Sequence, residues 1–475
     1  MFKPYPTYKY SSVPWLGEVP EHWGVLPNRA LFEEIRERER PHEQMLSVTI
    51  AQGVIHQRML LEHSSKKDSS KEDRSAYKLV CPCDIVYNKM RAWQGAIGAS
   101  DVRGIVSPAY VVVRLREANH PRYFHYLFRT PQFAKEAERW SYGITSDMWS
   151  LRPEHFKVIY GCLPPITEQT AIVRYLDYMD RRISRYIRAK QKLIKLLEEE
   201  RQATIHHAIT RGLDPNVRLK PSDVEWLGEV PEHWEVVSLK RIAWFKSGAG
   251  FPVSEQGEQN TEVPFIKVSD MTTPGNEIWI ECANSTVSQE TAARLGAFVF
   301  PEETIVFPKV GGALLTNKRR LLRKPSCIDN NVMGCVINGL ELQYAFILLQ
   351  QLDLGRLAKP GPVPAIGEGD VREIKVALPP SKEQIALVVS VRHATDKLVH
   401  AIAAAQHEIE LLREYRTRLI SDVVTGKVDV REAAERLPDE AEEPELIGDT
   451  AAMPEGAEEG EGAGINPPPE EDANG

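Results

Sequence analysis

Trp15-Leu-Gly-Glu-Val-Pro-Glu-His-Trp23 returns unchanged as Trp226-Leu-Gly-Glu-Val-Pro-Glu-His-Trp234. A second signature follows each copy: Leu163-Pro-Pro with Glu168-Gln169, then Leu378-Pro-Pro with Glu383-Gln384. Each pair opens a long charged stretch with helical periodicity. The chain is therefore one plan laid down twice: entry motif, variable region, Leu-Pro-Pro, long helix. A period of about 210 residues is too long for a solenoid repeat or a propeller blade. Between the landmarks the copies diverge, as expected when one scaffold presents two different recognition surfaces.

The first helix is predicted from Thr167, after Pro164-Pro165, to Thr210, where Gly212 and Pro215 stop it. Such a helix would extend ~66 Å. Ile172, Leu176, Met179, Ile183, Tyr186, Lys190, Leu193 and Leu197 follow the four-three spacing of a coiled-coil seam, and Ile187, Ile194, Ile205 and Ala208 widen it. A helix this long and polar needs a partner, and the stretch from about Ser381 to Thr425 supplies one. At a shift of 215 residues Leu176 meets Val391, Ile183 meets Leu398, Ile187 meets Ile402, Ile194 meets Ile409 and Leu197 meets Leu412, without a gap. These ten residues are the expected packing positions.

Residues 24–162 and 235–377 read as α+β domains. They hold short β-rich runs at Ile105-Val-Ser, Tyr110-Val-Val-Val-Arg-Leu, Phe298-Val-Phe and Thr304-Ile-Val-Phe, Gly, Pro and Asn turns, and a short helix at Pro131 to Arg139. The expected division is recognition domain 1–162, helix 163–211, linker 212–224, recognition domain 225–377, helix 378–426, an extension 427–438 and a tail 439–475. The tail holds thirteen acids and no Lys or Arg, and is expected to be disordered. The whole chain carries −8, so residues 1–438 carry +5, which permits a nucleic-acid partner without demanding one.

Several classes fall away. No run of eighteen apolar residues appears and the N-terminus lacks an export signal, so a cytoplasmic protein is expected. Cys81-Pro-Cys83 has no second pair at zinc spacing, and no metal site is expected. No GxxxxGK[ST] phosphate loop is present, and Asn466-Pro-Pro-Pro469 lacks the aromatic that adenine methyltransferases use to hold a flipped base. No catalytic residue is assigned.

Together these landmarks resemble the DNA-specificity subunit family of type I restriction-modification systems. The resemblance rests on four features: the two entry motifs, the two Leu-Pro-Pro…Glu-Gln openings, the helix ends Ile209-Thr-Arg-Gly-Leu-Asp-Pro and Val424-Thr-Gly-Lys-Val-Asp-Val-Arg, and the segments around Asp84-Ile-Val-Tyr-Asn-Lys-Met-Arg and Pro264-Phe-Ile-Lys-Val-Ser-Asp-Met. It implies two α+β target-recognition domains separated by two long helices that form an antiparallel coiled coil, a pseudo-twofold repeat in one chain. Each domain would read one half of a bipartite, asymmetric site on double-stranded DNA, with the helices as a ruler for half-sites about one turn, ~34 Å, apart. The implied partners are two modification subunits that bind S-adenosylmethionine and methylate adenine, joined by restriction subunits using ATP and Mg. No cofactor is expected on this chain. A coiled-coil scaffold with two protein-binding domains is the alternative.

Candidate DNA contacts follow from side-chain chemistry. Asn88, Lys89, Arg91 and Gln94 offer amides and cations for base edges or phosphates, with Trp93 able to stack or wedge. Tyr142 and Ser146 stand in a polar loop with interleaved aromatics. In the second copy Lys309, Asn317, Lys318 and Arg319 flank a glycine pair that would let backbone approach a phosphate, and Arg320 is expected to point away by strand alternation. Lys267 and Asn330, with Phe251 and Asp270, are further candidates. The cation run Arg181 to Lys195 reads as a solvated helix face, with phosphate contact as its alternative.

Overall fold

In each copy the entry motif is a hairpin with a tryptophan at its foot. Tyr8–Tyr10 pairs with Glu18–Pro20, and Leu219–Pro221 with Glu229–Pro231. Gly17 and Gly228 take positive φ, 64° and 61°, where the chain turns back onto the second strand. Leu16, Val19 and Trp23 are buried in the first copy, Leu227, Val230 and Trp234 in the second. The repeated sequence is thus a repeated packing unit. The linker expected at 212–224 supplies one strand of the second hairpin.

The computed structural model describes residues 3–62, 74–143, 149–255, 261–358 and 363–438. The acidic tail lies outside them. The chain divides into two compact units, residues 1–191 with 407–475 and residues 192–406, so both long helices cross the boundary.

The helices span Ile166–Arg211 and Ser381–Val424, within a residue or so of the limits expected from their proline and glycine punctuation. Gly212 at φ 76° and Gly426 at φ 78° terminate them. In the first unit the start of one helix runs antiparallel to the end of the other: Asp180 pairs with Arg416 at 2.6 Å and Lys190 with Glu408 at 2.6 Å. Ile172, Val173 and Leu176 share a core there with Leu419, Val423 and Val424. In the second unit Ile205, Ala208 and Ile209 share a core with Leu387, Val388 and Val391.

Of the expected packing positions, Leu176, Ile183, Ile187, Val391, Ile402 and Ile409 are buried, and Ile194, Leu197, Leu398 and Leu412 are half-buried. One detail of the seam differs. Tyr186 and Leu193 are exposed, at 53% and 41%, so the second apolar row runs one residue later, through Ile187 and Ile194. Tyr186 instead takes the Arg182 guanidinium over its ring at 5.9 Å on the solvent side.

Each unit holds an antiparallel sheet of the same plan. In the first, the order is Phe32–Ile35, Tyr110–Leu115, Ile85–Asn88, Ile97–Ala99. In the second it is Ala243–Ser247, Val332–Ile337, Ile305–Pro308, Arg320–Leu322, with Trp279–Ile280 added in parallel at the edge. The run Phe298-Val-Phe300, expected as a strand, contributes only a bridge from Phe300 to Ser326. Its two phenylalanines pack on Trp244, with centroids at 5.1 and 6.2 Å, so aromatic packing rather than a ladder places it.

The Glu-Gln pair at each helix start explains why it accompanies the entry motif. The carboxylate of Glu168 accepts from the Trp23 indole at 3.0 Å and faces His22 Nε2 at 2.6 Å; Glu383 accepts from the Trp234 indole at 3.1 Å and faces His233 at 2.9 Å. The next residue ties the domain on. Gln169 accepts from the His120 amide at 2.8 Å and donates to Pro164 O, and Gln384 accepts from the Glu341 amide at 3.0 Å and donates to Pro379 O.

The first unit adds Tyr5 OH at 3.3 Å and Arg431 at 3.4 Å to its carboxylate. Arg431 belongs to the 427–438 segment, which packs on this core through Val430 and Ala434. Glu168→Ala should therefore destabilise the chain by about 3–5 kcal/mol, the cost of stripping a buried charge network of one partner. Glu383→Ala, in a more exposed and smaller network, should cost about 1–3 kcal/mol. Urea unfolding of the two variants checks the order, and equal losses would show that the extra partners of Glu168 contribute nothing.

Candidate nucleic-acid interface

The third strand of each sheet, in the order given above, runs out into a lysine at the same structural position. Ile85-Val-Tyr-Asn88 runs out into Lys89, and Ile305-Val-Phe-Pro308 into Lys309. The Lys89 amide donates to Ala109 O at 3.2 Å and its carbonyl accepts from Leu151 N at 2.9 Å. The Lys309 amide donates to Asn331 O at 2.9 Å and its carbonyl accepts from Ile366 N at 2.9 Å. Ala109 and Asn331 each immediately precede the central strand. Two backbone bonds thus clamp each lysine at the mouth of its sheet, so divergent sequence converges on one geometry.

Around Lys89 the chain turns tightly. Asn88 accepts the Met90 amide at its Oδ1, at 3.0 Å, a side-chain turn that this residue type favours, and Ala92–Gln94 form a single 3-10 turn. Asn88 is therefore partly spent on the turn. Lys89 and Arg91 are half-buried and Gln94 is exposed. Trp93 is not a free wedge: its indole donates to Met90 O at 2.9 Å, and its ring packs on the core and edge-on to Trp149, at 5.6 Å. Tyr142 is 58% exposed with its ring at 5.0 Å from His155. Ser146 lies outside the described residues.

Three cations that sequence reading passed over join this end of the sheet. Lys78 is buried with its ammonium on Tyr110 O at 2.7 Å, and burial followed by the field of Lys89 brings its pKa down to about 8; Arg38 and Arg36 also lower it. Alternation of Arg36, Arg38 and Arg40 with glutamates just beyond the edge strand was the available signal.

In the second unit Lys309 donates to Ser247 Oγ at 2.8 Å, and the Ser247 amide donates to Glu368 at 2.7 Å. Ser247 is the last residue of the edge strand, and Gly248 follows so close to the next loop that a Cβ would lie 2.1 Å from Ile328 O and 2.3 Å from Asp329 O. The Asp329 amide donates to Ile266 O at 2.9 Å, which sets Lys267 beside the Asp329-Asn330-Asn331 turn. Lys267, Lys309 and Asn330 are thus gathered at one end of the sheet; Lys318 precedes the adjoining strand at the same end. Asn330 is exposed, the three lysines half-buried. Phe251 and Asp270 are buried. Asp270 accepts from the Lys267 amide at 2.7 Å and from Asn284, which makes it a turn-former.

Two expectations fail here. Arg319 is 2% exposed and does not face DNA: its guanidinium donates to Leu352 O, Lys318 O and Asn317 Oδ1 and lies 5.0 Å over the Phe307 ring. Burial pushes its pKa down to about 10. Asn317, at φ 53°, spends its amide on Gln350 O and on that guanidinium. Strand alternation does not decide exposure here. The strand is covered on both faces, Leu321 in one core and Leu322 in another, so Arg320 too is half-buried, donating to Met271 O.

A basic cleft of about 480 Å³ in the first unit is lined by Arg122, Arg129, Arg413 and Arg416. Most of its charge is engaged: Arg122 on Asp177 at 3.3 Å and Arg416 on Asp180 at 2.6 Å, while Arg129 faces backbone carbonyls.

With this geometry in hand, the comparisons with known proteins agree with one another. Residues 231–392 match the family model of the type I restriction modification DNA specificity domain. The putative type I restriction enzyme MjaX specificity subunit of Methanocaldococcus jannaschii is 22% identical over 454 residues, covering 88% of this chain and 96% of that protein. The MjaVIII specificity subunit of the same organism is 24% identical over 279 residues, 57% of this chain and 62% of that protein. A chain in a solved structure of the type I R-M system shares the fold at a TM-score of 0.63 and 14% identity, covering 86% of this chain and 99% of that one. Over most of its length the chain is thus similar to type I restriction enzyme specificity subunits, and residues 231–392 carry the match to that family's DNA specificity domain. Among the described residues no helix is long and apolar enough to cross a membrane.

The packing at Gly248 gives a direct check on the second interface. Gly248→Ala forces the Asp329–Asn331 turn aside and should cost roughly 3 kcal/mol. Gly250→Ala, where the nearest atom to a new Cβ is Asn330 Cγ at 3.9 Å, should cost well under half of that in the same thermal unfolding experiment.

Proposed function

We propose that this chain is the non-catalytic subunit that gives a type I restriction-modification complex its DNA sequence specificity. Each α+β domain reads one half of a bipartite, asymmetric site on double-stranded DNA. The observation that carries this is the clamped lysine at the same strand exit of both units, surrounded by amides and further cations that differ from one unit to the other. A constant anchor suits a phosphate, which is the same in every sequence, and variable neighbours suit base edges. Partner modification subunits would bind S-adenosylmethionine and methylate adenine at the sites this chain selects. Restriction subunits would use ATP and Mg. The protein-binding scaffold is less well supported, because the rims are built from Lys, Asn and Gly rather than from the aromatic anchors that centre protein interfaces.

Mapping methylated adenines in the host genome tests the proposal: one bipartite motif is expected, lost on deletion of this chain. Exchanging residues 235–377 for the matching region of another family member should change one half of that motif and leave the other intact. Lys89→Ala and Lys309→Ala should each lower the slope of log affinity against log salt by about 0.9, the signature of one lost phosphate contact, with the recognised sequence unchanged. An unchanged slope for both variants would remove the lysines from the interface.

A further inference from the structure

The two units solve one structural problem from opposite sides. In the first, Arg129 stands just past the helix Pro121–Phe128 and reaches five backbone carbonyls: Ile50 at 2.6 Å, Ala51 at 2.7 Å, Ile97 at 3.1 Å, Thr49 at 3.3 Å and Gly95 at 3.4 Å. Gly95 and Ile97 close the loop that carries Lys89, Arg91 and Gln94. The other three carbonyls belong to the last residue of the strand Leu46–Thr49 and to the turn that follows it. One guanidinium therefore ties the candidate recognition loop to a neighbouring turn and to the domain's own helix.

The residue equivalent to Arg129 in the second unit is Gln350. The helices superpose through shared bonds: Tyr123 OH donates to Cys162 O and Tyr344 OH to Ala377 O, while the amides of His120 and Glu341 both donate to the helix-opening glutamines. That register places Arg129 at 350. In the sheets Ile97 lies opposite Tyr87, and Val306 opposite Arg320, so Arg319 falls opposite Phe307 and occupies the place of Ile97. The arginine has changed sides of one junction. In the first unit it comes from the helix end and meets the strand's carbonyl. In the second it comes from the residue just before the strand Arg320–Leu322 and meets Leu352 O just past the helix end, while Asn317 takes Gln350 O.

A guanidinium suits this place because its planar fork can hold several carbonyls in fixed directions at once. Preserving the bridge while exchanging its donor implies that what matters is the connection. We infer that Arg129 and Arg319 are positioning residues for DNA discrimination, each fixing the recognition loop of its own unit so that the loop's side chains meet base edges in one geometry. This rests on the DNA-reading function proposed above. Neither arginine touches DNA in this role.

The test uses the full chain assembled with its modification subunits, and duplexes carrying the mapped site or single base-pair replacements in either half. For wild type, Arg129→Gln, Arg129→Lys and Arg319→Gln, the ratio of affinity for the intact site to that for each replaced site is measured on one preparation, so partial misfolding cancels. Arg129→Gln is expected to lower the ratio about tenfold at the half read by the first unit, the order of one base-pair preference lost, and to leave the other half within twofold. Arg319→Gln should give the mirror pattern, and Arg129→Lys, which keeps charge but not the fork, should fall between. Unchanged ratios, or equal falls at both halves, would overturn the positioning role while leaving DNA reading intact. A wild-type complex with no preference at either half would overturn the DNA-reading function and this role with it.

Discussion

A carboxylate at the first turn of each long helix is the point on which the architecture depends. Glu168 and Glu383 each collect an indole N–H and an imidazole from the entry motif, and the glutamine that follows holds the adjoining helix of the recognition domain. Three elements far apart in sequence are thus joined by two consecutive side chains. Left without partners, these polar groups would be expensive to bury, so the motifs at the two ends of each domain have to occur together. The domain between them is free to vary because none of these bonds draws on its recognition loops.

The same economy governs the candidate interface. Lys89 and Lys309 are fixed by backbone hydrogen bonds, which place almost no demand on the identity of neighbouring side chains. Their surroundings can then diverge: a tight turn with Trp93 as an internal prop in one unit, a glycine-lined approach beside Ser247 and Asn330 in the other. Specificity needs variation on a rigid support, and bracing through main-chain carbonyls provides both. The arginine that bridges loop to helix obeys this logic, since its acceptors are carbonyls that any residue supplies.

The repeat, the helix limits and the coiled-coil pairing were legible because they depend on periodicity and on residues with strong local preferences. Proline opens each helix, glycine at positive φ closes it, and branched apolar residues at heptad spacing bury themselves. Tyr186 and Leu193 were misplaced by one position because the four-three and three-four spacings share most of their residues. Phe298-Val-Phe300 has strand composition, yet contacts with Trp244 outweighed the ladder.

Sequence alone determined that the chain is two copies of one α+β plan, each with its own helix, and that the ends of certain strands carry cations and amides. Which of those side chains are available was decided only by tertiary structure. Lys309 and Arg319 are both cations near a glycine turn, but one caps a strand mouth and the other lies under a helix end, stacked on Phe307. Burial depends on what covers each face of a strand, and that cover comes from residues tens to hundreds of positions away. Alternation tells which neighbours share a face, and only packing tells which face meets water.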